Sequence, residues 1–227
     1  MKWTLQQGVR SVNIGDTVVN SEIRSKRKYE LKRRAEEMAE TRRRIAEAAV
    51  DLHGAIGPAR TTLSGVAERA GVQRHTVYRH FPTEAHLFAA CSAHFFTANP
   101  WPDPEPWRTV RDPRLRLTHA LDELYAYYER TEPMLSNVLR DIEVVDALRP
   151  TMVPLQDFLA EAAEILAAGR AARGRRRHLL DAALRHAVDF HTWRSLAADN
   201  SISRADAVEL VSALVEAAAA PRRRAAA

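Results

Sequence analysis

Apolar residues recur along this chain at three- and four-residue steps, the spacing of one helix face, and no run alternates with the two-residue period of a half-buried strand. The first sustained run is Leu31, Ala35, Met38, Ile45, Ala49, Leu52 and Ile56, interrupted by Arg42. It predicts one long helix from Lys28 to His53, stopped by Gly54, Gly57 and Pro58. The residues before it, through Asn13, Gly15, Asp16 and Asn20, carry no such period and are expected to be disordered or only locally ordered. Thr61 to Phe81 reads as two short helices around Gly71. A further helix is expected from Thr83, whose hydroxyl can cap it, through Leu87, Phe88, Cys91, Phe95 and Phe96. Pro100, Pro102, Pro104, Pro106 and Pro113 then exclude regular helix, so Asn99 to Asp112 is expected to be an irregular crossing between domains. Beyond it the period predicts helices near 114–130, 133–147, 151–168, 176–198 and 203–219. The fold class is all-α.

The pair of short helices carries the chemistry. Thr61 or Thr62 stands at the N-cap of the first, and Leu63, Val66, Ala67 and Ala70 form its apolar face. Gly71 supplies a left-handed stop, and Val72 plugs the angle between the helices. On the second helix Val77 and Phe81 share one face. His75 and Arg79 point the opposite way, flanked by Thr76 and Tyr78. A helix of this size with a hydrogen-bonding outer face fits the major groove of B-DNA, where arginine can hold guanine O6 and N7 in a bidentate fork. The spacing by itself also suits an ordinary helical hairpin with a polar surface.

The string A-G-V-Q-R-H-T-V-Y-R-H-F-P-T-E-A-H-L-F, Ala70 to Phe88, with Thr61 and Thr62 before it, resembles the DNA-binding domain of TetR-type transcriptional regulators. The resemblance is close from Ile45 to Phe88 and looser through the helical remainder to Ala220. It implies an N-terminal three-helix domain containing the helix-turn-helix, followed by a C-terminal helical ligand-binding and dimerisation domain. The corresponding divisions are 1–40 for a basic extension, 41–88, 89–221 and a tail at 222–227. It also implies that Thr76 and Tyr78 hold phosphates, that His80 braces or touches the DNA backbone, and that Thr62 offers a helix N-terminus to a phosphate; such contacts position rather than specify. Together with Arg42, Thr61, Arg74, His75 and Arg79 these are the expected DNA-binding residues. Three positions depart from the family pattern. Gln73 stands where a serine cap is usual, His75 where a small residue is common, and Glu84 where a lysine often anchors a phosphate. Glu84 is expected to turn away from DNA, leaving Arg42, Arg43 and Arg44 to supply the attraction.

Charge agrees with that division. Residues 1–81 hold 16 Lys and Arg against 9 Asp and Glu, and residues 82–227 hold 18 against 20, so the excess of +5 lies wholly in the half with the helix-turn-helix. That is the footprint of a nucleic-acid module joined to a neutral one. Lys26, Arg27, Lys28, Lys32, Arg33 and Arg34 can make the extension a basic arm along the DNA backbone or a neighbouring minor groove; the alternatives are a solvated extension without a role, or a misassigned start codon for Met1 to Ile23. The basic runs Arg173 to Arg177 and Arg222 to Arg224 are read as solvated, the first in a loop between helices.

In the C-terminal part, Leu179, Leu180, Ala183, Leu184, Ala187 and Val188, with Ala207, Leu210, Val211, Leu214 and Val215, resemble the helix pair that forms a four-helix bundle in a homodimer. Tyr125, Tyr128, Met134, Phe158 and His191 are the expected lining of a pocket for an unknown small-molecule effector, within a wider set including Tyr127, Met152, Phe190 and Trp193; each also suits plain core packing. The lone Cys91 allows no intrachain disulfide, is read as a buried small hydrophobe, and fits a cytoplasmic setting. No apolar run reaches the roughly 18 residues of a membrane span and the first thirty residues lack a signal peptide's apolar core. His178, His186 and His191 do not share one helix face, so no metal is expected, and no cofactor. No phosphate loop, nucleophile elbow or zinc motif marks an enzyme. The expectation is a regulator that binds a double-stranded DNA operator, most often as a repressor. A helical interaction protein working through its long N-terminal helix is the alternative.

Overall fold

The computed structural model describes the backbone of residues 14–220 and the side chains of residues 27–220. The chain divides into two units, Met1–Arg44 and Ile45–Ala227. All regular structure among the described residues is helical. Helix α1 is Ile14–Ile56, a 3-10 turn covers Pro58–Arg60, and α2 (Leu63–Ala70), α3 (Arg74–His80) and α4 (Glu84–Ala98) follow. Then come α5 (Glu105–Thr109), α6 (Pro113–Asp141), a 3-10 turn at Asp146–Leu148, α7 (Arg149–Ala167), α8 (Arg175–Ala187), α9 (Phe190–Trp193), a π turn at Arg194–Ala198 and α10 (Arg204–Ala219). The reading of the tail at 222–227 lies outside the described residues.

The first unit holds the N-terminal part of α1. Helix begins at Ile14, ahead of the expected start at Lys28, and runs through Gly15, Asp16 and Asn20, where the sequence predicts no regular structure. Leu31 and Met38 are exposed, at 59% and 58%, so the apolar period there covers no core. Local charge pairs support the helix instead: Lys32 with Glu36 at 3.8 Å, Arg33 with Glu37 at 3.4 Å, and Arg43 with Glu40 at 2.6 Å.

In the second unit two apolar clusters form. The smaller joins Ile45, Ala48 and Ala49 of α1 to Val66, Ala67 and Ala70, to Val77 and Phe81, and to Leu87 and Cys91. The larger is built from α5 to α10 around Trp107, Leu121, Tyr125, Tyr127, Tyr128, Leu135, Phe158, Leu184 and Trp193.

In the second unit the structure departs from the predicted elements in three places, each for a tertiary reason. The predicted helices 114–130 and 133–147 are one helix, α6, which runs through Pro133. An interior proline costs about 3 kcal/mol. Burial of Tyr127, Tyr128 and Leu135, each 2% exposed or less, offsets it at about 1.5–3 kcal/mol per side chain, and the proline ring itself lies on the exposed face. The predicted helix 176–198 breaks after Ala187. Tyr125 and Tyr128 donate their hydroxyls to the carbonyls of Ala187 and Val188 at 2.9 and 2.5 Å, Thr192 Oγ1 donates to the His186 carbonyl at 2.6 Å, and Asp189 Oδ1 accepts from the His191 N–H at 2.7 Å to start α9. The crossing segment Asn99 to Asp112 is irregular except at α5, a helical turn nucleated by burial of Trp107, whose indole N–H donates to Glu123 at 2.7 Å.

Candidate nucleic-acid interface

The geometry of the short helices follows from a few residues. Thr62 caps α2, its hydroxyl accepting from the Gly65 N–H at 3.0 Å. Gly71 adopts φ 63, ψ 40, and its N–H and that of Val72 bond to the carbonyls of Glu68 and Ala67, closing α2 in a left-handed stop that a side chain would strain. Gln73 occupies the N-cap of α3 without a side-chain bond, so that helix lacks the stabilisation a serine would give. What holds α3 is burial of Val77 and Phe81, 0% and 1% exposed.

That burial fixes the outward face. Arg74, His75, Tyr78 and Arg79 are exposed together on α3, with Thr76 beside them. Arg74 Nη2 donates to the Tyr78 hydroxyl at 3.0 Å and its guanidinium lies over the Tyr78 ring at 5.5 Å, so the tyrosine is held in place before any ligand arrives. His80 is only 8% exposed and belongs to the inside of the domain, where it can brace the helix but not present a surface. Thr61 donates its hydroxyl to the Gly57 carbonyl at 2.8 Å, which leaves the N-cap role to Thr62. Glu84 is exposed in the first turn of α4, a position the helix dipole favours for a carboxylate, and it lines the same groove of about 130 Å³ as Thr61 and Thr62. Arg42 is exposed on α1 in the first unit.

The five residues expected to line an effector pocket are not gathered together. Tyr125 and Tyr128 are fully buried and spend their hydroxyls on the α8 terminus. Burial raises both their pKa values. Phe158 stacks on Trp101 at 5.3 Å and packs on Trp107 at 6.3 Å, and His191 is exposed. Only Met134 of the five faces the apolar cavity between α1, α4, α6 and α7, whose walls include Val50, His53, Phe88, Cys91, Val138 and Met152. Residue type marks these positions as candidates for the interior but not which of them meet a void. The cavity's free volume of about 30 Å³ matches about one water, far below the several hundred Å³ of a typical small-molecule pocket. Burial lowers the His53 pKa to about 4, although Asp141 pulls it back, so its ring is neutral near pH 7. Burial pushes the Cys91 thiol up to about 12, which keeps it protonated and unreactive. No group of three or more potential metal ligands occurs among the described residues, and none of their helices is long and apolar enough to cross a membrane.

Residues 45–91 match the model of the bacterial regulatory proteins of the tetR family. HTH-type transcriptional regulator TtgR of Pseudomonas putida is 47% identical to this chain over 60 residues, 26% of this chain and 29% of the relative; the probable HTH-type transcriptional regulator ArpR of Pseudomonas putida matches to the same extent. The chain thus spans about 29% of the length of these curated relatives. Over most of its length it shares its fold with a TetR-like transcriptional regulator from Rhodococcus sp. RHA1, at a TM-score of 0.52, 19% identity and coverage of 78% of this chain and 93% of that one. Residues 45–91 are thus similar to the helix-turn-helix region of the tetR family of bacterial regulatory proteins, and the all-helical fold over most of the chain is shared with a TetR-like regulator.

Proposed function

We propose that this protein is a homodimeric, one-component transcriptional regulator that binds a double-stranded DNA operator and is released from it by a small molecule, acting as a repressor. The observation that carries the reading is the exposed face of Arg74, His75, Tyr78 and Arg79 on a helix whose other face is locked by Val77 and Phe81. Arg79 and His75 are the base readers in this scheme; Thr62, Thr76, Tyr78 and Arg74 hold phosphates. Exposed Leu179 on α8 and Leu210 and Leu214 on α10, 40%, 43% and 57% exposed, support pairing of two copies through these helices. Such a dimer reads two half-sites if its recognition helices stand about 34–36 Å apart, one helical turn of DNA. An effector acts by favouring a dimer with another separation, so its differential affinity for the two forms sets the response. No role in catalysis enters this scheme.

Selection of random duplexes with the full-length protein tests the proposal. A recovered motif with two-fold symmetry supports it. Recovery of no preferred sequence sinks it and favours the alternative, a helical interaction protein using the exposed Leu31 and Met38 of α1.

A further inference from the structure

The C-terminal end of α1 is finished only in part by its own chain, through the Gly57 N–H on the His53 carbonyl at 3.0 Å. A helix leaves its last carbonyls without intrahelical donors, and here three of them are taken by side chains from the last two turns of α6. Asn137 Nδ2 donates to the carbonyls of His53 and Gly54 at 3.0 and 2.8 Å, and Arg140 Nη2 donates to the Ile56 carbonyl at 3.3 Å. The amide orientation of Asn137 is fixed because its Oδ1 accepts from Arg140 Nη1 at 2.8 Å. Arg140 also holds the Asp141 carboxylate, at 2.7 and 3.1 Å. That carboxylate, 5% exposed, accepts the Ala59 N–H at 2.9 Å at the start of the 3-10 turn. Three residues later the chain reaches Thr62, the cap of α2.

We infer that Asn137, Arg140 and Asp141 form a latch through which α6 holds the junction between α1 and α2 in the shape that sets the helix-turn-helix, making them positioning residues for DNA binding. The inference rests on the regulator reading above and adds the element through which that regulation is transmitted. Two observations tie the latch to a ligand. The same turns of α6 present Met134, Leu135 and Val138 to the cavity, and His53, whose carbonyl Asn137 grips, lines it from α1. A guest larger than the present free volume must part these walls, and His53 and Val138 then cannot keep their separation while the Asn137 bonds stay intact. The Asp141 carboxylate is buried, at 5% exposed, and a buried charge is worth most when every partner is present, so loss of one bond weakens the others. The Asp141 carboxyl suits this role: burial would raise its pKa, but the Arg140 hydrogen bond, the Ala59 N–H and the charges of Arg140 and Arg60 outweigh that and hold it below the usual carboxylate range.

The test uses the full-length protein. Arg140→Ala removes the centre of the latch at a half-exposed side chain, so folding is retained; Asp141→Asn and Asn137→Ala are the stronger variants, and Glu143→Gln, an exposed neighbour, is the control. Hydrogen exchange of the Ala59 amide and its neighbours to Gly65 reads the junction without any DNA. Fluorescence anisotropy on the selected duplex reads the consequence. Faster exchange confined to 54–65 in Arg140→Ala, with operator affinity down about tenfold or more and unchanged helical content, is the expected result. Unchanged exchange in a folded Arg140→Ala overturns the latch whether or not the protein binds DNA. Faster exchange with wild-type operator affinity overturns its positioning role. A wild-type protein that selects no sequence refutes the regulator reading instead, and the exchange data still decide whether α6 holds the junction.

Discussion

Replacing Gly57 with alanine strikes the protein where backbone and side-chain demands coincide. Gly57 has φ 92 and ψ 154, a region that residues with a Cβ avoid, and it begins the 3-10 turn after α1. Strain of that kind costs about 1–3 kcal/mol. In addition, a Cβ there runs into Arg140 Nη2 and lies 2.5 Å from Asp141 Oδ2, so the guanidinium and the carboxylate must separate from the turn. Losing a buried hydrogen bond to a charged partner adds a further 1–3 kcal/mol or so, roughly 2–6 kcal/mol in all. For a chain of this size that lowers the melting temperature by roughly 5–20 °C. Gly174 provides the comparison, because its φ is 55 and nothing lies within 4 Å of an added Cβ, so Gly174→Ala bears the backbone part alone. Thermal melts followed by circular dichroism should therefore rank wild type above Gly174→Ala above Gly57→Ala. A Gly57→Ala melting temperature equal to that of Gly174→Ala would show that Arg140 and Asp141 move aside without loss, and the reasoning about the junction would fail.

Arg79→Ala should cost about 1–3 kcal/mol of operator binding and relax sequence preference, whereas Tyr78→Phe, which also loses the bond from Arg74, should weaken binding to all duplexes alike; a selection in which Arg79→Ala recovers the wild-type motif would reject the assignment. Deleting residues 1–27 should flatten the slope of log affinity against log salt if the basic extension meets phosphates, and Glu84→Lys should strengthen binding most at low salt; salt titrations with unchanged slopes would make both positions bystanders. His53 takes up a proton near 6.5 when unfolded but near 4 when folded, so the unfolded state binds more protons between those values. Its contribution, up to about 3 kcal/mol, is fully present above pH 6.5 and is lost as pH falls towards 4, and His53→Gln should flatten urea-melt stability across that window; parallel curves would refute it. Phe158→Ala should cost about 3–5 kcal/mol of stability, since the ring is packed on Trp101 and Trp107; an unchanged melting temperature with a changed effector response would return Phe158 to the ligand site.

Local rules sufficed for the helix-turn-helix. Thr62, Gly71, Val77 and Phe81 each act through neighbours within a few positions, by capping, by a left-handed backbone or by helical period, so a sequence displays them directly. The same holds for Thr83, whose hydroxyl accepts the His86 N–H at 3.3 Å to cap α4, for Gly57 just past the end of α1, and for the exposed face of α3, which is simply what the buried face leaves outside. The remainder depended on partners distant in the chain. Whether Pro133 ends a helix turned on the burial of Tyr127, Tyr128 and Leu135 around it. Whether 176–198 stays whole turned on hydroxyls from α6, about 60 residues earlier, claiming the Ala187 and Val188 carbonyls. Tyr125, Tyr128, Met134 and Phe158 are of residue types that suit the interior, yet only packing separates a side chain in a filled core from one that borders a void. The junction held by Asn137, Arg140 and Asp141 has no signature in sequence, because an exposed-looking N-x-x-R-D on a helix becomes a cap for another helix only once folding brings the end of α1, more than 80 positions away, within hydrogen-bond reach.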